Sequence, residues 1–317
     1  MKRTSYIVAG PTASGKSEFA HALARAVDGV VINCDSVQIY RGIENISASP
    51  FAGIIGAEHV PPLQIDGIPY RLFSILPLTE QISVAGYLEL ARTEYSAAIS
   101  SGKPAIFVGG TGFYINALIH GLSPIPEISK QNRARAREIV KNAPENAMEL
   151  LNLKPQTSNL KLDPQRLARA LEVFLETGRP LSEWQALPRR GAVIPDATKI
   201  LINPHKDILA ARIAKRIPEM LANGALDEAR AIIAANWPDE RAIGASELVK
   251  FIHGETDEKT MLENWSLRTN QYAKRQRTWF RTQFAADLEI PHVPTEKDII
   301  PLLRRGVAEG DGEGYPE

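Results

Sequence analysis

The chain has 317 residues, 37 basic and 37 acidic side chains, a formal net charge of zero and 44% hydrophobic residues. This is the composition of a globular protein with room for two domains, or one domain with an insertion, and it offers no global charge to draw in nucleic acid or a membrane surface; such binding needs a local patch. Cys34 is the only cysteine, which excludes a disulfide. The six histidines form no pair at ligand spacing, and no apolar run reaches membrane-spanning length, so a cytoplasmic protein is expected.

In chain order, Tyr6 to Ala9 reads as a buried strand and Ser17 to Val27 as a helix with Phe19, Ala20, Leu23, Ala24 and Val27 on one face. Between them, Gly10, Pro11, Thr12, Ala13, Ser14, Gly15, Lys16 and Ser17 fit G-x-x-x-x-G-K-[ST], the phosphate-binding P-loop. Glycines let the backbone wrap a phosphate with its N–H groups pointing inward, and the helix N-terminus adds its dipole. Lys16 supplies a charge, and the Ser17 hydroxyl can join a Mg2+ shell. The motif alone does not say which phosphate is held, since kinases, ATPases and diphosphate-using transferases share it.

A second strand, Gly29 to Asn33, leads into Cys34-Asp35-Ser36-Val37-Gln38-Ile39-Tyr40. Asp35 then stands at the carboxyl end of a strand, where α/β sheets place their ligands. It suits a Mg2+ ligand or a base, and equally a cap or turn residue. Residues 43–70 read as a loop with room for one hairpin, Arg71 to Ile75 as a third strand, and Ser83 to Ser100 as a long helix. Ala105 to Val108 is a fourth strand, running into Gly109-Gly110-Thr111-Gly112 and a helix over Ile115 to Gly121. Such a turn either faces a ligand or only packs a helix against a strand.

From residue 127 to 192 the pattern is helical only: Lys130 to Asn142, Ala143 to Leu153 and Pro164 to Thr177. This segment carries Lys130, Arg133, Arg135, Arg137, Lys141, Lys161, Arg166 and Arg169, a basic surface or simply solvated helix faces. A fifth strand, Lys199 to Asn203, returns the chain to the sheet. Helices follow over Asp207 to Asn223, with Arg212 and Arg216 one turn apart, over Leu226 to Asn236, Ser246 to His253 and Glu258 to Phe284. Pro218 should kink the first of these or shift its end. The last interleaves Tyr272, Trp279 and Phe280 with Arg268, Lys274, Arg275, Arg277 and Arg281, which suits RNA or a plain amphipathic helix. The Gly-rich segment 300–317 reads as a disordered tail. The expected architecture is α/β: a P-loop NTPase-like parallel sheet flanked by helices, built from residues 1–126 and 193–317, with an all-helical insertion over 127–192.

Together these segments resemble the tRNA dimethylallyltransferase (isopentenyltransferase) family. The matching stretches are Gly10 to Ser17, Asp35-Ser36 with Ile39-Tyr40, Gly109-Gly110-Thr111 with Tyr114, Asp163 to Val173 (D-P-Q-R-L-A-R-A-L-E-V), and Ala273-Lys274-Arg275-Gln276 with Thr278-Trp279. The resemblance implies transfer of a dimethylallyl group from dimethylallyl diphosphate to N6 of the adenosine on the 3′ side of the anticodon, in tRNAs reading codons that begin with U. It implies a donor diphosphate on the P-loop with Mg2+ near Ser17, Arg212 beside the diphosphate, Asp35 as base, and Lys16 and Thr111 completing the catalytic set. For the tRNA anticodon stem-loop it implies contacts from Asp35, Ser36, Val37, Gln38, Thr111, Arg133, Gln165, Arg166, Leu167, Ala168, Arg169, Lys274 and Arg275. A monomer is expected. Two departures stand out: Ser49 where a Lys is common, compensated by Arg41 or not at all, and Gly244-Ala245-Ser246-Glu247 where G-Y-[KR]-E is usual. The competing readings are an ATP-dependent kinase and an RNA-binding module that uses nucleotide as a switch.

Overall fold

The computed structural model describes residues 5–53, 63–152 and 163–303. The first half of the chain gives β1 (Tyr6–Ala9), α1 (Lys16–Val27), β2 (Val30–Asn33), β3 (Leu63–Ile65), β4 (Ile68–Arg71), α2 (Val84–Ser100), β5 (Ala105–Gly109) and α3 (Gly112–His120). Four helices follow, α4 (Lys130–Asn142), α5 (Pro144–Leu150), α6 (Pro164–Thr177) and α7 (Leu181–Gln185). The chain then gives β6 (Thr198–Ile202), α8 (Lys206–Met220), α9 (Leu226–Ala234), α10 (Ala245–Ile252), α11 (Glu258–Gln283) and β7 (Leu288–Ile290). Two compact units result: residues 1–119 with 193–317, and residues 120–192.

The first unit is built on a seven-stranded sheet ordered β3-β4-β2-β5-β1-β6-β7, parallel except for the β3–β4 hairpin. β1, β2 and β5 are buried along their whole length, which is why they read as unbroken apolar runs. α1 buries Phe19, Ala20, Leu23 and Ala24 into a core shared with Val8, Val31, Ile106 and Ile200. Helix α2 starts at Ser83, whose Oγ accepts the Gly86 N–H at 3.1 Å. The carboxyl ends of β1, β2, β5 and β6 lead into Gly10, Asp35, Thr111 and Asn203, so four chain segments open onto one sheet edge.

Two expectations are corrected here, and one short strand was not foreseen. The strand expected at Arg71 to Ile75 lies instead at Ile68–Arg71, since Leu72 (φ 63°) and Ser74 (φ 51°) take left-handed backbone that no strand accommodates. β7 has only three residues and no periodicity to betray it; Asp287 in front of it accepts the Lys199 N–H at 2.7 Å. The expected tail begins too early: residues 296–303 are helical, and Ile299 and Leu302 are buried in the core of this unit. Pro218 sits in the last turn of α8. A wide turn over Leu221–Ala225, with Gly224 at φ 103°, follows it.

The second unit packs Ala136, Val140, Ala147, Met148, Leu167, Ala168 and Leu171 from α4, α5 and α6. The D-P opening of α6 has a local cause: Asp163 caps the helix by accepting the Gln165 and Arg166 N–H groups, Pro164 takes the first helical position, and Gly178 (φ 68°) ends it. Glu172, almost fully buried, holds Arg169 at 3.2 Å and Arg137 at 3.6 Å and so ties α6 to α4. Residues 153–162, with Lys161, and the tail beyond 303 lie outside the described residues.

Candidate functional site

The P-loop wraps the space above β1. Ala13 (φ 63°) and Gly15 (φ 93°) both take left-handed backbone, which turns successive N–H groups toward one point. An alanine held there costs about 1 kcal/mol or more, so the surrounding contacts must enforce it. Gly10 leaves no alternative: a Cβ would come within 2.4 Å of the Ile202 carbonyl oxygen. Lys16 Nζ donates to the Pro11 carbonyl at 3.3 Å. Burial lowers its pKa, the Asp35 carboxylate opposes that drop, and Arg216 adds to it.

Arg216 was visible in the sequence only as a residue one turn beyond Arg212. In the fold its Nη2 donates to Thr12 Oγ1 at 2.8 Å, and its buried Nε has no partner among the described residues. Burial and the neighbouring Arg212 push its pKa down to about 10, against some opposition from Glu18. Arg212 itself lies 3.6 Å from Glu18. The loop therefore holds one amide nest and three cations, Lys16, Arg212 and Arg216, with two of them partly desolvated. Such an arrangement favours a bound anion.

The second half of the site stands at the ends of β2 and β5. The Asn33 side chain accepts the Asp35 N–H at 2.8 Å and donates to the Asp35 and Leu72 carbonyls at 2.9 and 3.0 Å. Tyr87 Oη donates to the Asn33 carbonyl at 2.9 Å, so the turn is fixed from below. Asp35 Oδ1 accepts the Val37 N–H at 3.0 Å. The turn role and the site role of Asp35 are thus compatible: one oxygen closes the turn, and the residue still lines the cleft. Thr111 Oγ1 accepts the Ser36 N–H at 3.0 Å, sits 3.2 Å from Ser36 Oγ, and lies beside the Tyr272 hydroxyl. Burial keeps that phenol well above its ordinary pKa, so it stays neutral.

The Gly-rich turn after β5 both faces the site and packs. A Cβ at Gly109 would meet the Cys34 backbone at 2.4 Å, one at Gly110 would meet Gln276 Nε2 at 2.3 Å, and one at Gly112 would meet the Trp279 ring at 2.5 Å. The glycines clear space for β2 and α11, and Thr111 alone carries a functional group. Gln276, nearly fully buried, accepts the Thr12 N–H at 2.8 Å and donates to the Gly110 carbonyl at 2.9 Å.

These parts line one open cleft of about 1450 Å3. Thr12 to Ser17, Asp35 to Gln38, Arg212, Arg216, Tyr272 and Arg275 all border it. Gln38 is buried and occupied: its Nε2 donates to the Ser47 and Ala48 carbonyls at 3.1 and 2.9 Å, and so holds a wall of the cleft. The same loop is gripped from α9, where Glu228 accepts the Asn45 and Ile46 N–H groups at 2.7 and 2.8 Å. Ser49 is buried, with its Oγ accepting the Phe51 N–H, whereas Arg41 is exposed and lies outside the residues lining the cleft. Near the loop the cationic character comes instead from Arg212, Lys215 and Arg216. In the divergent 244–247 stretch, Gly244 (φ 97°) makes room for the Trp265 indole and Glu247 pairs with Arg268 at 2.6 Å; Ala245 and Ser246 are buried.

Other expected contact residues fall elsewhere. Lys274 is on a different face of α11 from Tyr272 and borders a second groove with Lys206, Arg277 and Arg281. In the helical unit Arg133, Gln165 and Arg166 are exposed and Arg169 is half-buried against Glu172. The side chains of Leu167 and Ala168 face the interior of that unit, because the period of α6 turns them there. Among the described residues no group of three or more His, Cys, Asp or Glu could hold a metal ion.

Comparison with known proteins fits this arrangement. The IPP transferase family model matches residues 38–283, and the Isopentenyl transferase model matches residues 3–56. A tRNA dimethylallyltransferase of Paramagnetospirillum magneticum is 40% identical over 312 residues, covering 94% of each chain. One of Rickettsia bellii is 36% identical, covering 96% of each. The crystal structure of the full-length tRNA isopentenylpyrophosphate transferase of Bacillus halodurans is 26% identical, with a TM-score of 0.66 and 97% of both chains covered. With matches of this kind along nearly its whole length, the chain belongs to the tRNA dimethylallyltransferase family of prenyl-transferring enzymes.

Proposed function

We propose that this enzyme moves the dimethylallyl group of dimethylallyl diphosphate onto N6 of the adenosine on the 3′ side of the anticodon, in tRNAs reading codons that begin with U. The products are N6-isopentenyladenosine and diphosphate. The observation that carries the reading is the shared cleft: a cationic nest at Thr12 to Ser17 shares it with Asp35, Ser36 and Tyr272, and Thr111 is bonded to the Ser36 N–H behind them.

The chemistry follows from those two ends. The allylic C–O bond breaks as the C–N6 bond forms, and the electron pair of the broken bond leaves with the diphosphate. Negative charge therefore grows on the leaving group, where Lys16, Arg212, Arg216 and the loop amides stand. N6 loses a proton as it bonds, and Asp35 receives it; a positioned base is worth roughly 10²–10⁴ in rate. Thr111, held by Ser36 and flanked by Tyr272, orients the adenine edge. The residues present fit Mg2+ bound with the donor: Ser17 lines the cleft next to Lys16, no carboxylate cluster forms a protein cage among the described residues, and Mg2+ is commonly held by few protein groups together with substrate phosphates. When bound, it would supply Lewis-acid stabilisation of the leaving diphosphate.

To reach this cleft the adenosine must leave the loop stack. Arg275 at the cleft, and Arg133, Gln165, Arg166 and Arg169 on the helical unit, are the groups we assign to the tRNA. The cleft is lined by residues of one chain, which supports action as a monomer, and a tRNA substrate is in keeping with a cytoplasmic enzyme. A stem-loop RNA tests the acceptor. With adenosine at the target position, dimethylallyl diphosphate and Mg2+ should give a prenylated nucleoside; with purine riboside, which lacks the N6 amine, no product should form. Equal product from both would refute N6 as the nucleophile.

A further inference from the structure

Gln276 touches both halves of the site without lining up with either as a reacting group. Its Oε1 accepts the N–H of Thr12 in the P-loop at 2.8 Å, and its Nε2 donates to the carbonyl of Gly110, the residue before Thr111, at 2.9 Å. It is only 6% exposed, and Gly110 has no Cβ to push it away. Thr12 is also held through its hydroxyl by Arg216. One turn earlier on α11, the Tyr272 hydroxyl lies beside Thr111. The helix thus places two side chains, at i and i+4, on the same small region of backbone.

We propose that Gln276 is a positioning residue that sets the distance between donor and acceptor, by bonding the P-loop to the Thr111 turn through one side-chain amide. The inference rests on the proposed reaction, in which the diphosphate sits on the P-loop and the adenine at Thr111. An amide suits the task because it presents an acceptor oxygen and a donor NH2 on one carbon, in one plane. Groups that must meet at near-attack distance lose rate steeply when displaced by about 1 Å, so removing the clamp acts on turnover more than on binding of either substrate alone.

Two variants of the full chain test this. Gln276→Leu removes both bonds. Gln276→Glu keeps the shape; its carboxylate still accepts from Thr12 but faces the Gly110 carbonyl with no proton, and on protonation it restores the donor. Prenyl transfer to a stem-loop RNA is measured from pH 5.5 to 8.5, with kcat and KM for donor and RNA, and thermal melting is followed in parallel. The expected results are a kcat loss of at least about tenfold for Gln276→Leu, with RNA and donor KM changed less than about threefold. For Gln276→Glu, the kcat ratio to the native enzyme should rise as pH falls. A ratio that is flat with pH, or Gln276→Leu turning over at native kcat, would overturn the clamp while native product formation in the same assay upholds the reaction itself. Absent product from the native enzyme would overturn the reaction and, with it, the role given to Gln276.

Discussion

Replacing Arg216 by Met separates the stability of the loop from its affinity for an anion. Burial holds the guanidinium at about 10 rather than 12.5, so keeping it charged at pH 7 costs the fold up to about 3 kcal/mol, at about 1.4 kcal/mol per tenfold change in proton affinity. Its hydrogen bond to Thr12 Oγ1 at 2.8 Å offsets that by roughly 1.5–3 kcal/mol, as charged donors do. The two nearly cancel, so Arg216→Met should melt within about 5 °C of the native protein. Diphosphate binding has no such cancellation, because the guanidinium is already desolvated and only the attraction is lost. That loss is also about 1.5–3 kcal/mol, or roughly 10- to 100-fold in Kd. Calorimetric titration with Mg2+ and inorganic diphosphate reads the affinity, and scanning calorimetry reads the melt. An unchanged Kd, or a melting point lowered by more than about 10 °C, would refute this account of Arg216.

Asp35→Asn keeps an oxygen for the Val37 N–H and so keeps the turn; turnover should fall at least about a hundredfold with tRNA binding retained, and a near-native kcat would remove Asp35 as the base. Arg166→Ala, on the exposed face of α6, should weaken tRNA binding severalfold and flatten its salt dependence, while leaving donor affinity untouched in the same filter-binding and calorimetric assays. Gly112→Ala drives a Cβ to 2.5 Å from the Trp279 ring and should cost about 1–3 kcal/mol in a denaturant melt, whereas a neutral result would mean that α11 yields freely there.

Much of this site was legible in the sequence because the residues that carry it are consecutive. The P-loop, Asp35 with Ser36, and Thr111 each follow a buried strand, and parallel strands bring such turns to one sheet edge. What escaped was contributed by side chains far away along the chain. Arg216 and Gln276 meet Thr12 from more than 200 residues downstream; Arg216 reads as an ordinary helix residue, and Gln276, though in a stretch that resembles the family, shows nothing locally that links it to the P-loop. Pro69 hides β4 in a similar way: a proline argues against a strand, yet β4 includes it opposite Gln64 in the hairpin. The D-P-Q-R-L-A-R stretch shows the limit in reverse. Its family specificity is high, but Asp163 and Pro164 start a helix and Leu167 and Ala168 fill its core, leaving Gln165, Arg166 and Arg169 to face outward or sideways.

The identity of the donor tests the central claim most directly. The purified protein is incubated with Mg2+ and unmodified tRNA carrying adenosine on the 3′ side of the anticodon, with either dimethylallyl diphosphate or ATP, and the digested nucleosides are weighed by mass spectrometry. The account predicts a prenyl mass gain on adenosine that requires dimethylallyl diphosphate and is indifferent to ATP. Phosphate transfer or ATP hydrolysis without that gain would contradict it and make the loop a nucleotide site.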